Sequence, residues 1–448
     1  MSISPARAAA FEILLRIDKT DAYASELLHS SRFAKLSPAD HGLLTELVMG
    51  VLRWRSVLDS SITEHAAQAL AKLDLEVLTA LRLGAYQLFF LDRIPKHAAV
   101  NESVELVKQA RKRSAAGMVN AVLRKIAKSD SELSHFSQNQ AEVGLQTKFY
   151  EASVSAHPQW LVERWNRFYG ADIAKKICSY DQLAPKAMLR ISNPELLEAL
   201  QTEGVALKPG NFLAKAFVIQ AGEITHTKAF RERRLTIQDE ASQLVGLLVG
   251  NGQSILDCCA APGGKTRILA EQNPNSTVVA VDLHPHRSAL LRKLLAAKNV
   301  RVVTGDARQI PLGRHFDRVL VDAPCSGTGT LARNPEIKWR LKLEDITRLQ
   351  ALQTEILLSA MKQVATGGRL IYSTCSLEPE ENSEIVARVL ATNSSFTLVD
   401  SRTELERLRR DGELVIENLD SMQDGPYLRT IPAVHSCDGF FAAILEKQ

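Results

Sequence analysis

From residue 254 onward one pattern recurs: a short apolar run, a turn of small residues carrying an aspartate, then a helical stretch. Runs at 254–257, 277–282, 300–304, 318–322 and 369–373 read as strands, and 266–272, 286–299 and 344–364 as the helices between them. In the last helix Leu349, Leu352, Ile356 and Ala360 mark a buried stripe. Strands that alternate with helices imply a parallel sheet covered on both faces. A helix at 382–391 and a strand near 396–399 follow, and 439–445 is expected to add an antiparallel strand.

The N-terminal third differs. Apolar residues recur at helical spacing over Ala8, Phe11 and Leu15, and again over 43–58, 77–90, 101–110 and 119–126, with no strand-like alternation. An all-helical domain is expected over 1–130. A polar stretch at 129–140 reads as a linker. Residues 145–235 mix helices at 157–169, 171–180 and 194–203 with strands at 187–191 and 216–220, a small α+β domain. The third domain spans 236–448. The fold class is therefore multidomain α and α/β, in keeping with a length of 448 residues.

Charge is distributed unevenly along this plan. Residues 1–128 hold 18 Lys and Arg against 13 Asp and Glu, whereas the remainder holds 37 against 38. The basic excess includes Lys108, Arg111, Lys112 and Arg113, a cluster that reads equally as a solvated helix end or as a contact with a phosphate backbone. No apolar run reaches 18 residues, so no membrane span is expected, and the N-terminus does not read as a signal peptide. The six cysteines show no C-x-x-C spacing, which argues against zinc, and a long chain without a secretion signal argues against a disulfide framework. Reduced thiols, a cytoplasmic location and no metal are expected. With no coiled-coil seam, a monomer is expected.

The loop after the first strand reads Asp257-Cys258-Cys259-Ala260-Ala261-Pro262-Gly263-Gly264-Lys265-Thr266. A P-loop would need Gly where Cys259 stands, and G-x-G-x-x-G is missing, so neither a nucleoside triphosphate nor NAD fits. S-adenosyl-L-methionine fits better. It needs a short glycine loop for its amino-acid part and a carboxylate on the next strand for the ribose, which Asp282 supplies. Asp306, at the third strand, can accept from an adenine amino group. Asp322 opens Asp322-Ala323-Pro324-Cys325-Ser326-Gly327-Thr328-Gly329 at the fourth strand, and Ser373-Thr374-Cys375-Ser376 closes the fifth. Two thiols and a carboxylate thus meet one rim. C5 of cytosine is a poor nucleophile, and a thiolate adding to C6 turns the ring into an enamine whose C5 can attack a sulfonium methyl.

In combination the segments 257–266, 322–329 and 374–376 resemble the signature motifs of RNA cytosine-5 methyltransferases. The late antiparallel strand is likewise a mark of methyltransferase sheets. Residues 1–128 resemble the NusB-type helical RNA-binding fold, through 47–55, 81–89, 95–105 and Asn120-Ala121-Val122-Leu123. That layout is similar to the bacterial 16S ribosomal RNA methyltransferase B family, also called Sun or Fmu. The resemblance implies that Cys375 attacks C6, that Cys325 assists product release and that Asp322 contacts the cytosine. It also implies that Cys259, Ala260, Ala261, Pro262, Gly263, Gly264, Lys265, Asp282, Asp306 and Asp322 hold the cofactor, and that 16S rRNA is the partner. The residues alone leave the order of the two thiols open. Competing readings are a transfer-RNA substrate, a binding protein that keeps the fold as scaffold, and exocyclic amino methylation. The last fits poorly, because Asp322-Ala323-Pro324-Cys325 lacks Pro-Pro-aromatic.

Overall fold

The computed structural model describes residues 3–129, 143–295, 297–310 and 312–448. Apart from Ser129, the linker expected at 129–140 lies outside the described residues. The chain divides into two compact units, 1–184 with 331–340, and 185–330 with 341–448.

The first unit is helical. Helix Pro5–Lys19 buries Ala6, Ala10, Ile13 and Ile17 against Leu44, Leu47 and Val51 of helix Pro38–His65 and against Leu81 and Ala85 of helix Leu75–Phe90. Pro38 opens the long helix and the Ser37 hydroxyl caps it by accepting from the Asp40 amide at 3.1 Å. Gly50 is needed on this helix, since a Cβ there would lie 1.9 Å from the Tyr86 ring. Helices Lys96–Gln109 and Ala116–Ile126 complete the core. Helices Gln159–Tyr169 and Ala171–Asp181, which the sequence groups with the α+β stretch, fall in this unit.

So does 331–340, which the sequence reading left without a role. Lys338 and Trp339 donate to the carbonyls of Arg53 and Leu52 at 2.9 and 2.6 Å, Arg340 to those of Ile17 and Ala22, and Glu336 accepts from the Ala24 amide. Burial pushes the Lys338 ammonium down to about 7. In the basic cluster Lys108 pairs with Glu105 and Lys112 with Asp74, while Arg111 and Arg113 are exposed.

The second unit holds two sheets. β1 (Met188–Arg190), β2 (Ala206–Pro209) and β3 (Ala216–Ala221) form a small antiparallel sheet in the order β1-β3-β2. Met188, Phe212 and Ala216 share a core with helix Glu240–Leu248. Glu240 ties the turn at 211–213 to that helix by accepting from three successive backbone amides.

The large sheet comprises β4 (Ser254–Asp257), β5 (Thr277–Asp282), β6 (Val300–Thr304), β7 (Phe316–Asp322), β8 (Val364–Thr374), β9 (Phe396–Val399), β10 (Gln423–Asp424), β11 (Tyr427–Thr430) and β12 (Phe440–Lys447). Its order is β10-β11-β12-β8-β7-β4-β5-β6, with β9 on β12. The run β6-β5-β4-β7-β8 is parallel, and β12 lies antiparallel to β8, as the sequence leads one to expect. Val278, Val279, Ala280 and Val281 are all buried because helices cover both faces. Chain order reverses between β4 and β7, which makes their carboxyl ends the crevice where ligands of open α/β sheets bind. The helix expected at 286–299 runs Pro285–Leu294, and helix Ser401–Arg410 was not anticipated. No described helix is long and apolar enough to cross a membrane.

Candidate active site

Two carboxylates mark the crevice. Asp257 ends β4 and Asp322 ends β7. Asp257 is buried, and its Oδ2 accepts from the Thr266 hydroxyl at 2.7 Å. No donor is aligned on its Oδ1, although the Cys259 amide lies near enough to favour the ionised form slightly. Burial outweighs these contacts and pushes the carboxyl up to about 7. Asp322 is better provided for: Lys265 Nζ donates to Oδ2 at 2.8 Å and Ser373 Oγ to Oδ1 at 3.0 Å. The Lys265 ammonium also sits 4.7 Å over the Phe440 ring.

The loop Cys259, Ala260, Ala261, Pro262, Gly263, Gly264 and Lys265 lines a cavity of about 660 Å³ together with Asp257 and Asp322. That volume is in the range of small-molecule sites. Phe230, Ile237, Gln238 and Ser242 also line it, residues that no motif in the sequence marks. Gly263 has φ +111°, a backbone conformation open to glycine, and a Cβ on it would lie 2.5 Å from Leu291 Cδ1. The chain then enters helix Gly264–Gln272.

Asp282 and Asp306 are outside the cavity lining and differ from each other. Asp282 is buried at the end of β5 and accepts from the amides of Ala261 at 3.3 Å and His284 at 3.0 Å. It therefore touches the loop directly. Asp306 caps the turn Ala307–Gln309 by accepting from the Arg308 amide at 2.9 Å and forms an ion pair with the Arg308 side chain. The guanidinium holds the Asp306 carboxyl below its usual range.

On the other side of Asp322, Cys325 Sγ and Cys375 Sγ lie 3.4 Å apart, although 50 residues separate them in sequence. Both are half-buried. The Cys325 pKa is raised, first by its hydrogen bond with Cys375 and then by burial. Cys258, buried in the sheet, and Cys259 both have thiols pushed up by burial, so they remain protonated. Among the described residues no group of three or more His, Cys, Asp or Glu could hold a metal ion.

Ser326, Gln353, Ser376, Glu381 and Asn382, all buried around the two thiols, were missed as site residues. The acidic run Glu380-Glu381, four residues after the second cysteine segment and just before the helix expected from 382, was the available signal.

Comparison with known proteins agrees with this geometry. Residues 245–446 match the family model described as 16S rRNA methyltransferase RsmB/F, residues 4–128 match the NusB family, and 157–224 match the ferredoxin-like domain of RsmF/B-like methyltransferases. A probable ribosomal RNA small subunit methyltransferase B of Bacillus subtilis is 33% identical over 468 residues, covering 100% of both chains. Ribosomal RNA small subunit methyltransferase B of Vibrio cholerae is 32% identical, covering 99% of this chain and 97% of its own. The crystal structure of PH0851 superposes with a TM-score of 0.79 at 25% identity over 100% of both chains. The protein is thus a member of the 16S rRNA methyltransferase RsmB/F family, built from a NusB-type helical domain, a ferredoxin-like domain and a methyltransferase sheet.

Proposed function

We propose that the protein methylates C5 of one cytosine in 16S ribosomal RNA, with S-adenosyl-L-methionine as donor and a covalent Cys375–C6 bond in the pathway. The observation that carries this reading is the pair of thiols 3.4 Å apart beside Asp322, at the carboxyl ends of two adjacent parallel strands.

The residues fit the cofactor. Asp257 Oδ1 is a buried oxygen without an aligned donor, and an ammonium group in the cavity would satisfy it. Each Asp282 oxygen accepts one backbone amide and keeps a lone pair for a ribose hydroxyl. Residues 259–265 would surround the amino-acid part, and Asp306 would reach the adenine amino group by turning away from Arg308. The cofactor supplies an electrophilic methyl on a sulfonium.

The remaining chemistry belongs to the side chains. Cys375 acts as the nucleophile, and Cys325, 3.4 Å away and with its pKa raised by their mutual hydrogen bond and by burial, keeps its proton at this stage. Cys375 adds to C6 while Asp322, backed by Lys265, stabilises the ring protonated at N3. C5 then takes the methyl group. Once Cys375 is bonded to carbon, its hydrogen bond no longer holds the proton on Cys325. Cys325 releases that proton to solvent and as a thiolate takes the C5 proton, the C6–S bond breaks with its electron pair returning to Cys375, and N3 gives up its proton.

The target base must leave its stack, at a cost on the order of a few kcal/mol, which a loop cytosine lowers. The basic helical unit, with Arg111 and Arg113 exposed, suits phosphate contacts, so binding should weaken steeply with salt. Incubation of the protein with unmodified 16S rRNA or transfer RNA and the donor, followed by mass spectrometry of the nucleosides, tests the reading. 5-Methylcytidine in the 16S digest is expected. N4-methylcytidine would contradict the thiol chemistry, and product in transfer RNA alone would replace the substrate.

A further inference from the structure

One buried side chain bonds to both cysteine loops, whose Ser326 and Ser376 hydroxyls also lie 3.0 Å apart. Glu381 is fully buried. Its Oε1 accepts from the Ser326 amide at 2.8 Å and from Gln353 Nε2 at 2.9 Å. Its Oε2 accepts from the Ser376 hydroxyl at 2.5 Å and from the Ser326 hydroxyl. Ser326 follows Cys325 and Ser376 follows Cys375. Gln353 also donates to the carbonyl of Pro324, the residue before Cys325, at 2.8 Å. Tyr372, on β8 itself, donates to the Glu381 carbonyl at 2.7 Å. Both loops therefore converge on a single carboxylate.

A buried carboxylate is tolerated only while donors surround it, and four donors do so here. Separating the loops would strip donors from a group that water cannot reach, so the network resists movement of either cysteine. Contacts within the second loop and directly between the two loops add stiffness. Asn382 accepts from Thr374 at 2.5 Å and donates to the Ser376 carbonyl at 2.8 Å, and Thr328 Oγ1 accepts from the Leu377 amide at 2.9 Å. Gly329 donates its amide to the Cys375 carbonyl at 2.9 Å. Two groups that must act in turn on adjacent carbons of one ring need such a fixed spacing, because a misplacement of about 1 Å can cost roughly 100-fold in rate.

We infer that Glu381 is a positioning residue that sets the spacing of Cys325 and Cys375 by clamping Ser326 to Ser376. The inference rests on the reading of these cysteines as the working pair, but its test does not. Glu381→Gln keeps the shape and removes one of the two acceptor oxygens. The spacing is read from the equilibrium of the folded protein with oxidised dithiothreitol. There the two thiols give up two protons and two electrons to form a disulfide, and the reagent becomes reduced dithiothreitol. Mass mapping identifies the Cys325–Cys375 bond against the other cysteines.

The effective concentration of the thiol pair is expected to fall about tenfold or more in Glu381→Gln. On rRNA, kcat should fall while the dissociation constant of the methyl donor stays within about twofold, a split that general loosening of the domain would not give. If Glu381→Gln does not fold, Ser326→Ala, Ser376→Ala and their double variant take its place. The double variant should then lose less than the two single losses combined, because both hydroxyls act through the same carboxylate. A wild-type thiol equilibrium in Glu381→Gln, or independent losses in the serine series, overturns the clamp. If the equilibrium shifts but Cys375→Ala still methylates RNA, the clamp stands and the nucleophile assignment fails.

Discussion

The two halves of the crevice are built by different means. On the side proposed for the cofactor, the loop that lines the cavity is a stretch of ten consecutive residues, with Gly263 at φ +111°, a helix that begins at Gly264, and Thr266 reaching back to Asp257. On the thiol side, segments 50 residues apart are brought together by Glu381, Gln353 and a set of hydroxyls. The first is local backbone geometry, and the second is a long-range network of side chains. A site of the first kind fails when one backbone angle is wrong. One of the second kind fails when a shared hub is lost. The difference also explains why the glycine loop can be read from a motif while the spacing of the two thiols cannot.

Substitutions can break that comparison. The largest effect below the thiols themselves is expected at Asp322, where the two halves meet: Asp322→Asn should lower kcat by about 100-fold or more, the scale of a lost acid–base group. A loss confined to donor affinity, seen in a KM rise with kcat intact, would place Asp322 on the cofactor side alone. Gly263→Ala comes next. A side chain at φ +111° costs roughly 1–2 kcal/mol, so donor affinity measured by calorimetry should fall about tenfold with kcat at saturation little changed. Unaltered affinity would mean that the loop geometry is not what shapes the site.

Asp257 gives a smaller effect with a definite pH signature. Its folded pKa, about 7, lies above the ordinary 3.8, so the native state holds a proton that the unfolded chain releases. Stability is therefore lost as pH rises from about 4 to about 7, and the full cost is present above that window. Asp257→Asn removes this cost and keeps an acceptor for Thr266. Its Tm should exceed that of the wild type by a few degrees at pH 8, and the gap should shrink toward pH 4. A gap that stays constant across this range would show that Asp257 is not neutralised by burial. The smallest effect is expected at Asp306, which is already paired with Arg308 and only partly covered. Asp306→Ala should weaken donor binding by no more than about threefold, since the Arg308 pair must break before the carboxylate gains a new partner. A loss as large as that of Asp282→Ala would raise Asp306 to a principal ligand.

What the sequence discloses follows the same division. The strand ends at Asp257, Asp282 and Asp322 are legible because a buried parallel strand is a continuous apolar run and the turn after it is rich in small residues. The antiparallel β12 is legible as a terminal apolar run. Helix Ser401–Arg410 was overlooked although Asp400 caps it and Leu405 and Leu408 form its buried face, because six charged residues on one short helix obscure the period. The placement of 331–340 in the helical unit has no sequence signal at all. Its side chains bond to backbone carbonyls, which every residue carries. Glu381 was illegible for a related reason. A glutamate near a helix start ordinarily faces solvent, and only the packing of Gln353, Ser326 and Ser376 around it turns it into a buried hub.

The central claim is the assignment of roles to the two thiols. Cys325→Ala and Cys375→Ala, each incubated with unmodified 16S rRNA and S-adenosyl-L-methionine and run on a denaturing gel, test it directly. Cys325→Ala should accumulate a covalent protein–RNA adduct that the denaturant does not dissolve, and Cys375→Ala should be inert and form none. The reverse pattern, or normal methylation by both variants, would contradict the account.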